Sequence, residues 1–407
     1  MTTISILICA LRSLTDPTSQ KYRKLTSFLV NEYDEGLDYF KLLPTQLDKS
    51  AFQDLIEQRL TLKTRFSEAF DFFRKQLAGE DSDGIVIDFD GLFEVVQSRL
   101  TVVAIHLGDT DDPYLIFESL NAKGAPLTQA DLIRNYLLLR IPSNNQLQVY
   151  EEAWLPMQSL LGDHLTEFMR QYLMQSGEEV SKSAIYSVLK KRLQDSDEDD
   201  VAEELRTMQR MSLLYAQIVG LTSAPNDLVA SMLSRLRRWE VSTANTFILS
   251  LLALNAGHNI SSVDVLSCLK CLESFVVRRA VCGVPTNQLK RIFISIIKEI
   301  PTTDVPTWLV TTLSAGSSGR RWPKDEEFSE SLQRYRAYAN PLDRCKFVLE
   351  TIELGYGHKE RTTFESATIE HVMPQTLSEK WKLDVGPDVE LVHEKWIDRL
   401  GVPSRGW

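Results

Sequence analysis

Thr128-Gln-Ala-Asp131-Leu-Ile-Arg-Asn135 reads as the opening turns of a helix. A threonine ahead of a helix accepts a free backbone N–H, and an acidic or amide side chain three places on returns a bond to the threonine's own amide. Asp131 fills that place, where Glu or Gln is commoner, and predicts a helix running through Arg140. Working backward, Asp112-Pro113 is a second start, since Asp caps and Pro fits a first turn. The helix it predicts, Tyr114 to Ala122, meets a left-handed stop at Gly124, and Pro126-Leu127 is extended. Phe117 to Asn135 is therefore a tight helix–turn–helix elbow, and Asn121 and Asp131 by this chemistry alone satisfy its backbone amides.

Helical periodicity continues on both sides. Residues 1–15 put Ile4, Leu7, Ile8 and Leu11 on one face, and 19–33, 47–60 and Phe66 to Leu77 read the same way. Thr101-Val-Val-Ala-Ile-His-Leu107 is β-branched and bounded by Gly108-Asp109, which predicts a strand. From about 147 to 300 helix follows helix, with polar breaks near Ser176-Gly177, Asp195 to Asp200, Ser223 to Asn226, Gly257-His258 and Gly283 to Pro285. The acidic run Asp195 to Asp200 reads as a solvated linker before a helix starting near Val201. No fixed period recurs, so this is not a repeat array. Residues 314–319 read as a flexible loop or a boundary, and a last helix, Pro341 to Leu354, precedes a C-terminal segment of different character.

The chain has 407 residues, long enough for two or three domains, and its 43% apolar and 25% charged content is ordinary for a globular protein. Its apolar runs, such as Ile4 to Leu11 and Phe247 to Leu254, are too short to span a bilayer, and no basic n-region or small-residue cleavage site marks a signal peptide. Five scattered cysteines argue against a disulfide framework and for a reducing, cytoplasmic setting, and the short apolar runs for no membrane partner. Cys268-Leu-Lys-Cys271 has a metal or redox spacing but stands alone in a helical apolar pattern, so core packing is the favoured reading. The net charge of −11 requires a local basic surface for any nucleic-acid partner. Candidates are Arg235 to Arg238, Arg278-Arg279 through Lys290-Arg291, and Arg320 to Lys324; each reads first as a solvated helix face.

The chemistry concentrates near the end. Thr368-Ile-Glu370-His371-Val372 reads as a short strand from Ala367 or Thr368, stopped by Pro374. Trp381 follows, then a helix around Val389 to Leu400 that contains His393 and Trp396. In ββα-metal nucleases a His on a hairpin strand acts as general base toward a water, and an acidic neighbour holds a divalent cation. His393, 22 residues after His371, is spaced for a second ligand; the favoured alternative is that it caps or decorates the helix beside Trp396.

In context, Thr368-Ile-Glu370-His371-Val-Met-Pro374-Gln-Thr with His393-Glu-Lys-Trp396-Ile-Asp-Arg-Leu-Gly401 resembles the C-terminal HNH module of GmrSD-type modification-dependent restriction systems. The elbow at Phe117 to Asn135 resembles a segment of the N-terminal module of that family. Phe275-Val-Val-Arg278-Arg279-Ala-Val-Cys-Gly283-Val-Pro-Thr286-Asn287 resembles a third, in the helical middle. The resemblance implies a type IV-like endonuclease in phage defence, cutting foreign, often modified, DNA with a divalent metal, Mg²⁺ or Mn²⁺. Glu370 would be the metal ligand and His371 the general base. It also implies a ParB- and sulfiredoxin-like N-terminal module linked to nucleotide hydrolysis, with a homo-oligomer or a separately encoded subunit as further partners.

The sequence departs from the family pattern in two places. The Asp-Gly-Gln-Gln-Arg signature that precedes a Leu-Thr-Thr helix is not found, and after Gly401 the chain reads Val-Pro-Ser-Arg-Gly-Trp rather than Asn-Leu-Thr-Leu. The expectation is therefore a form truncated at both ends, weakly active or inactive, without residues for nucleotide hydrolysis. The alternative function is a non-catalytic DNA- or partner-binding subunit of a defence system. The expected fold is mainly α, a multi-helical chain with a few short strands. It divides into a helical remnant over 1–145, a helical middle over 146–340 and an incomplete ββα-metal (HNH) unit over 341–407.

Overall fold

Short polar side chains set where the helices begin. The computed structural model describes residues 2–36, 38–44, 46–59, 64–79, 88–100, 128–357, 364, 368–369 and 373–400. The predicted strand at 101–107 and the elbow before Thr128 lie outside the described residues, as does the predicted strand near 370 apart from Thr368 and Ile369, which are in neither helix nor strand. The described residues are mainly α, and their one bridge between extended residues pairs Val30 with Phe40. None of their helices is long and apolar enough to cross a membrane. The chain divides into two units, 1–113 and 114–407.

The first unit contains α1 (Thr2–Ser13), α2 (Gln20–Leu29), α3 (Gln46–Ile56), α4 (Arg65–Ala78) and α5 (Phe89–Glu94), which runs on into a π-turn, Val95–Arg99. α1 is its core element. Ile8 and Leu11 are buried as the periodicity predicts, but so are Ile6, Cys9 and Ala10, while Ile4 and Leu7 are only partly covered. The buried arc is thus wider than one stripe, because α2, α3 and α4 all pack around it. Thr64 and Ser67 form a reciprocal capping box on α4, and Gly79, at φ 69°, closes that helix in the left-handed conformation.

The second unit begins with α6 (Gln129–Leu139), and its capping box is the predicted one. Thr128 Oγ1 accepts the Asp131 amide at 3.1 Å and Asp131 accepts the Thr128 amide at 3.3 Å. Then follow α7 (Ser143–Val149), α8 (Leu155–Leu161), α9 (Leu165–Leu173), α10 (Ile185–Arg192) and α11 (Glu198–Val219). α11 starts earlier than the acidic run suggests. Asp197 caps it, and Glu198, Asp199 and Asp200 form its first turn, where negative charge meets the positive end of the helix dipole.

Next come α12 (Asp227–Arg238), α13 (Asn245–Ala256), α14 (Ser262–Val281), α15 (Leu289–Ser295) and α16 (Val305–Ser314). α13 is buried from Thr246 to Leu252 without a polar face, as a helix enclosed by others must be. Its two buried hydroxyls are matched by α9 and the turn after it. Thr246 bonds Gln171, Gln175 donates to the Thr246 carbonyl at 2.8 Å, and Ser250 donates to Gln175 at 2.6 Å. Cys268 and Cys271 pack in the same core, where burial pushes both thiols up to about 12 and keeps them neutral. The remaining helices are α17 (Asp325–Arg334), α18 (Leu342–Gly355), α19 (Glu379–Val385) and α20 (Val389–Trp396).

Candidate active site

Glu370 and His371, the residues the sequence singles out, lie outside the described residues; their flanks are described. On one side Thr368 and Ile369, with Phe364, line a cleft of about 400 Å³ against Lys346, Leu349 and Ile352 of α18. On the other, the Pro374 carbonyl accepts a hydrogen bond from His393 Nε2 at 2.8 Å. A carbonyl only accepts, so Nε2 is the donor in this bond. His393 therefore does more than decorate its own helix: it ties α20 to the stretch directly after the Glu-His pair. Trp396 is flanked instead by cations, with Lys395 Nζ 5.2 Å and Arg399 Cζ 5.3 Å from its ring centre.

The end of this segment is anchored as well. Arg336 pairs with the Asp398 carboxylate, the Tyr338 amide donates to the Asp398 carbonyl at 3.1 Å, and Leu400 packs on the main core. α19 is started by Ser378, which accepts the Trp381 amide at 3.4 Å. Among the described residues no three acidic, His or Cys side chains converge where a metal ion would sit. The described donors thus do not by themselves make a cation site.

The arginine clusters are not solvated helix faces. Arg235 grips Glu273 with two bonds of 2.7 and 2.9 Å, reaches Thr351 at 3.0 Å and lies 4.4 Å from the Phe347 ring centre. Arg238 pairs with Glu350 at 2.6 Å, and Trp239 packs on Phe347 at 5.1 Å. Residues 235–239 thereby key α18 onto α12 and α14. Arg278 pairs with Asp325 at 2.6 Å, Lys290 with Glu179 at 2.6 Å, and Arg321 with Glu327 at 2.5 Å. Arg279 is 1% exposed and donates to the carbonyls of Pro285, Gly319 and Arg321 at 2.8, 2.9 and 2.9 Å. That set of bonds holds the Ser- and Gly-rich stretch at 314–319, read from sequence as flexible, against α14. Of these clusters Arg237, Arg291, Arg320 and Lys324 remain exposed.

Two family models match this chain. Residues 1–138 match the GmrSD restriction endonuclease N-terminal domain, and residues 322–401 match the GmrSD restriction endonucleases C-terminal domain. Together they take in more than half of the sequence, in the order the domains carry. The chain belongs to the GmrSD restriction endonuclease family. No curated protein matches it.

The GmrSD C-terminal match takes in α17 to α20 together with Glu370, His371 and His393. The GmrSD N-terminal match takes in the first unit and runs to the penultimate residue of α6. Between them lie the helices through which Arg235, Arg238 and Arg278 hold the C-terminal part. The sequence offers no sign of those attachments, because their partners are distant carboxylates or backbone carbonyls, which no motif announces.

Proposed function

We propose that this GmrSD-family chain is a metal-dependent DNA endonuclease that restricts foreign, modified DNA such as that of phage, in the cytoplasm. The observation that supports it most is the C-terminal family match over 322–401 with Glu370 and His371 inside it. Glu370 would hold a divalent cation, Mg²⁺ or Mn²⁺, as a hard oxygen ligand. His371 would take the proton from the attacking water. A cation bound there supplies charge stabilisation for the phosphate and the leaving oxygen.

Supercoiled DNA, modified and unmodified, incubated with Mg²⁺ or Mn²⁺ tests this reading. The wild-type chain should nick or cut, and His371→Ala and Glu370→Ala should each remove the activity while DNA binding persists. Cleavage that survives His371→Ala would remove the assigned base. DNA bound but never cut by the wild-type chain would turn the reading to a non-catalytic DNA-binding subunit.

A further inference from the structure

We infer that His393 is a positioning residue for the nuclease site, acting through its hydrogen bond to the Pro374 carbonyl; the inference rests on the nuclease reading of Glu370 and His371. The bond joins α20 to a point 19 residues earlier in the chain, at 2.8 Å and partly buried. Pro374 stands three residues after His371, so the backbone that carries the base runs into this anchor within about 11 Å of chain. Proline adds to the effect, since its ring fixes φ and it has no N–H to offer a competing bond. The anchor is itself held: α20 is secured beyond its end by Asp398, which binds Arg336 and the Tyr338 amide. A chain of fixed points therefore runs from the helical core to the third residue after His371. General-base catalysis needs such placement, because a reacting group about 1 Å out of position can lose about a hundredfold in rate.

The same bond excludes only Nε2 of His393 as a metal ligand and leaves its Nδ1 free, so Mn²⁺ binding measured beside cleavage separates positioning from ligation through Nδ1. Its Nε2 carries a proton committed to a carbonyl, and ligation by that nitrogen would require the bond to break. Among the described residues, no acidic, His or Cys side chains join it in a ligand cluster.

The test compares wild type, His393→Gln, His393→Asn and His393→Leu in the full chain, with His371→Ala as control. Gln presents an amide N–H at nearly the reach of Nε2; Asn is polar but too short, and it stands in if the Leu variant does not fold. Cleavage in Mn²⁺ is measured against DNA concentration, alongside thermal melting and Mn²⁺ binding by calorimetry. Expected for Leu and Asn is a kcat lowered about tenfold to a hundredfold with KM for DNA unchanged, and for Gln a return to within about threefold of wild type. Wild-type kcat in the Leu and Asn variants overturns the inference and leaves the nuclease reading standing. Failure of Gln to restore kcat, with Mn²⁺ affinity lost in all three, overturns it in favour of ligation. Absence of wild-type cleavage, or cleavage surviving His371→Ala, overturns the nuclease reading and the inference with it.

Discussion

Arg279 Nη1 donates to the Arg321 carbonyl at 2.9 Å across 42 residues of sequence, and no carboxylate takes part. Among the described residues no carboxylate pairs with its guanidinium; it serves as a three-way donor whose other acceptors are Pro285 and Gly319, and the Phe275 ring centre lies 5.1 Å from it. Arg279 itself is only 1% exposed, and removing it takes its donors from all three carbonyls. Arg279→Met should lower unfolding stability by about 3–5 kcal/mol, since an acceptor orphaned in the interior costs about 1–3 kcal/mol and the loop relaxes only in part. Arg279→Lys keeps the charge but not the planar fork and should lie between. Urea unfolding of the full chain measures both. A loss under about 1 kcal/mol for Met would mean the loop at 314–321 does not depend on this residue.

Arg235 and Glu273 make the second attachment, a two-point contact with side chains 20% and 18% exposed. Partial burial and bidentate geometry should lift this pair above the ordinary surface ion pair. A double-mutant cycle with Arg235→Met and Glu273→Gln should give a coupling energy of about 1–3 kcal/mol. The Arg235 single variant should cost more than the Glu273 one, because it also loses the Phe347 ring and the Thr351 hydroxyl. Equal costs would show that the ring contact contributes nothing.

Gly220 closes α11 at φ 86°, and a β-carbon built there would stand 2.9 Å from Nε of Arg237. That arginine donates at 3.0 Å to the Gln217 carbonyl in the last turn of α11, so it takes up acceptors the helix end leaves open. Gly220→Ala should therefore destabilise by about 1–2 kcal/mol, from left-handed strain and displacement of Arg237. Gly355, at the end of α18, has nothing within 4 Å of an added β-carbon and no positive φ. There the same substitution should be neutral or should stabilise by up to about 1 kcal/mol. Melting curves of the two variants give the contrast; equal shifts would contradict it.

Local chemistry was readable wherever both partners are close in the chain. The Thr128–Asp131 box and the core placement of the Cys268–Cys271 pair follow from spacing alone. The start of α11 misleads because a run of acids looks solvated, yet at a helix N-terminus the same acids are favoured and Asp197 is the cap. The arginine clusters mislead for a different reason: Glu273 and Glu350 lie 38 and 112 residues from Arg235 and Arg238, and no single-chain pattern reports distant partners. At the candidate site, Glu370 and His371 are legible as a motif, whereas the role of His393 depends on a backbone carbonyl, which every residue carries and no sequence distinguishes.

Two partly buried glutamates should make stability respond to pH in opposite senses. Burial alone would raise Glu167, but bonds from Arg170 and Gln171 outweigh it and hold this carboxyl below its ordinary value of 4.5. A lowered carboxyl contributes stability that is present above that value and is lost as pH falls through the folded pKa. Glu204 is raised above 4.5, by burial first, and the attraction of Arg192 offsets that only in part. Its contribution runs the other way: the folded state holds the proton more tightly, so stability is lost as pH rises from 4.5 through the raised value. Glu167→Gln should therefore fall further below wild type in melting temperature between pH 4 and pH 7. Glu204→Gln should rise relative to wild type over the same interval, because the amide never ionises. Parallel melting series at constant ionic strength check both signs. If Glu204→Gln also lost ground as pH rose, the pairing with Arg192 would outweigh the burial of that carboxylate, and the polar contact between α10 and α11 would be a stabilising one.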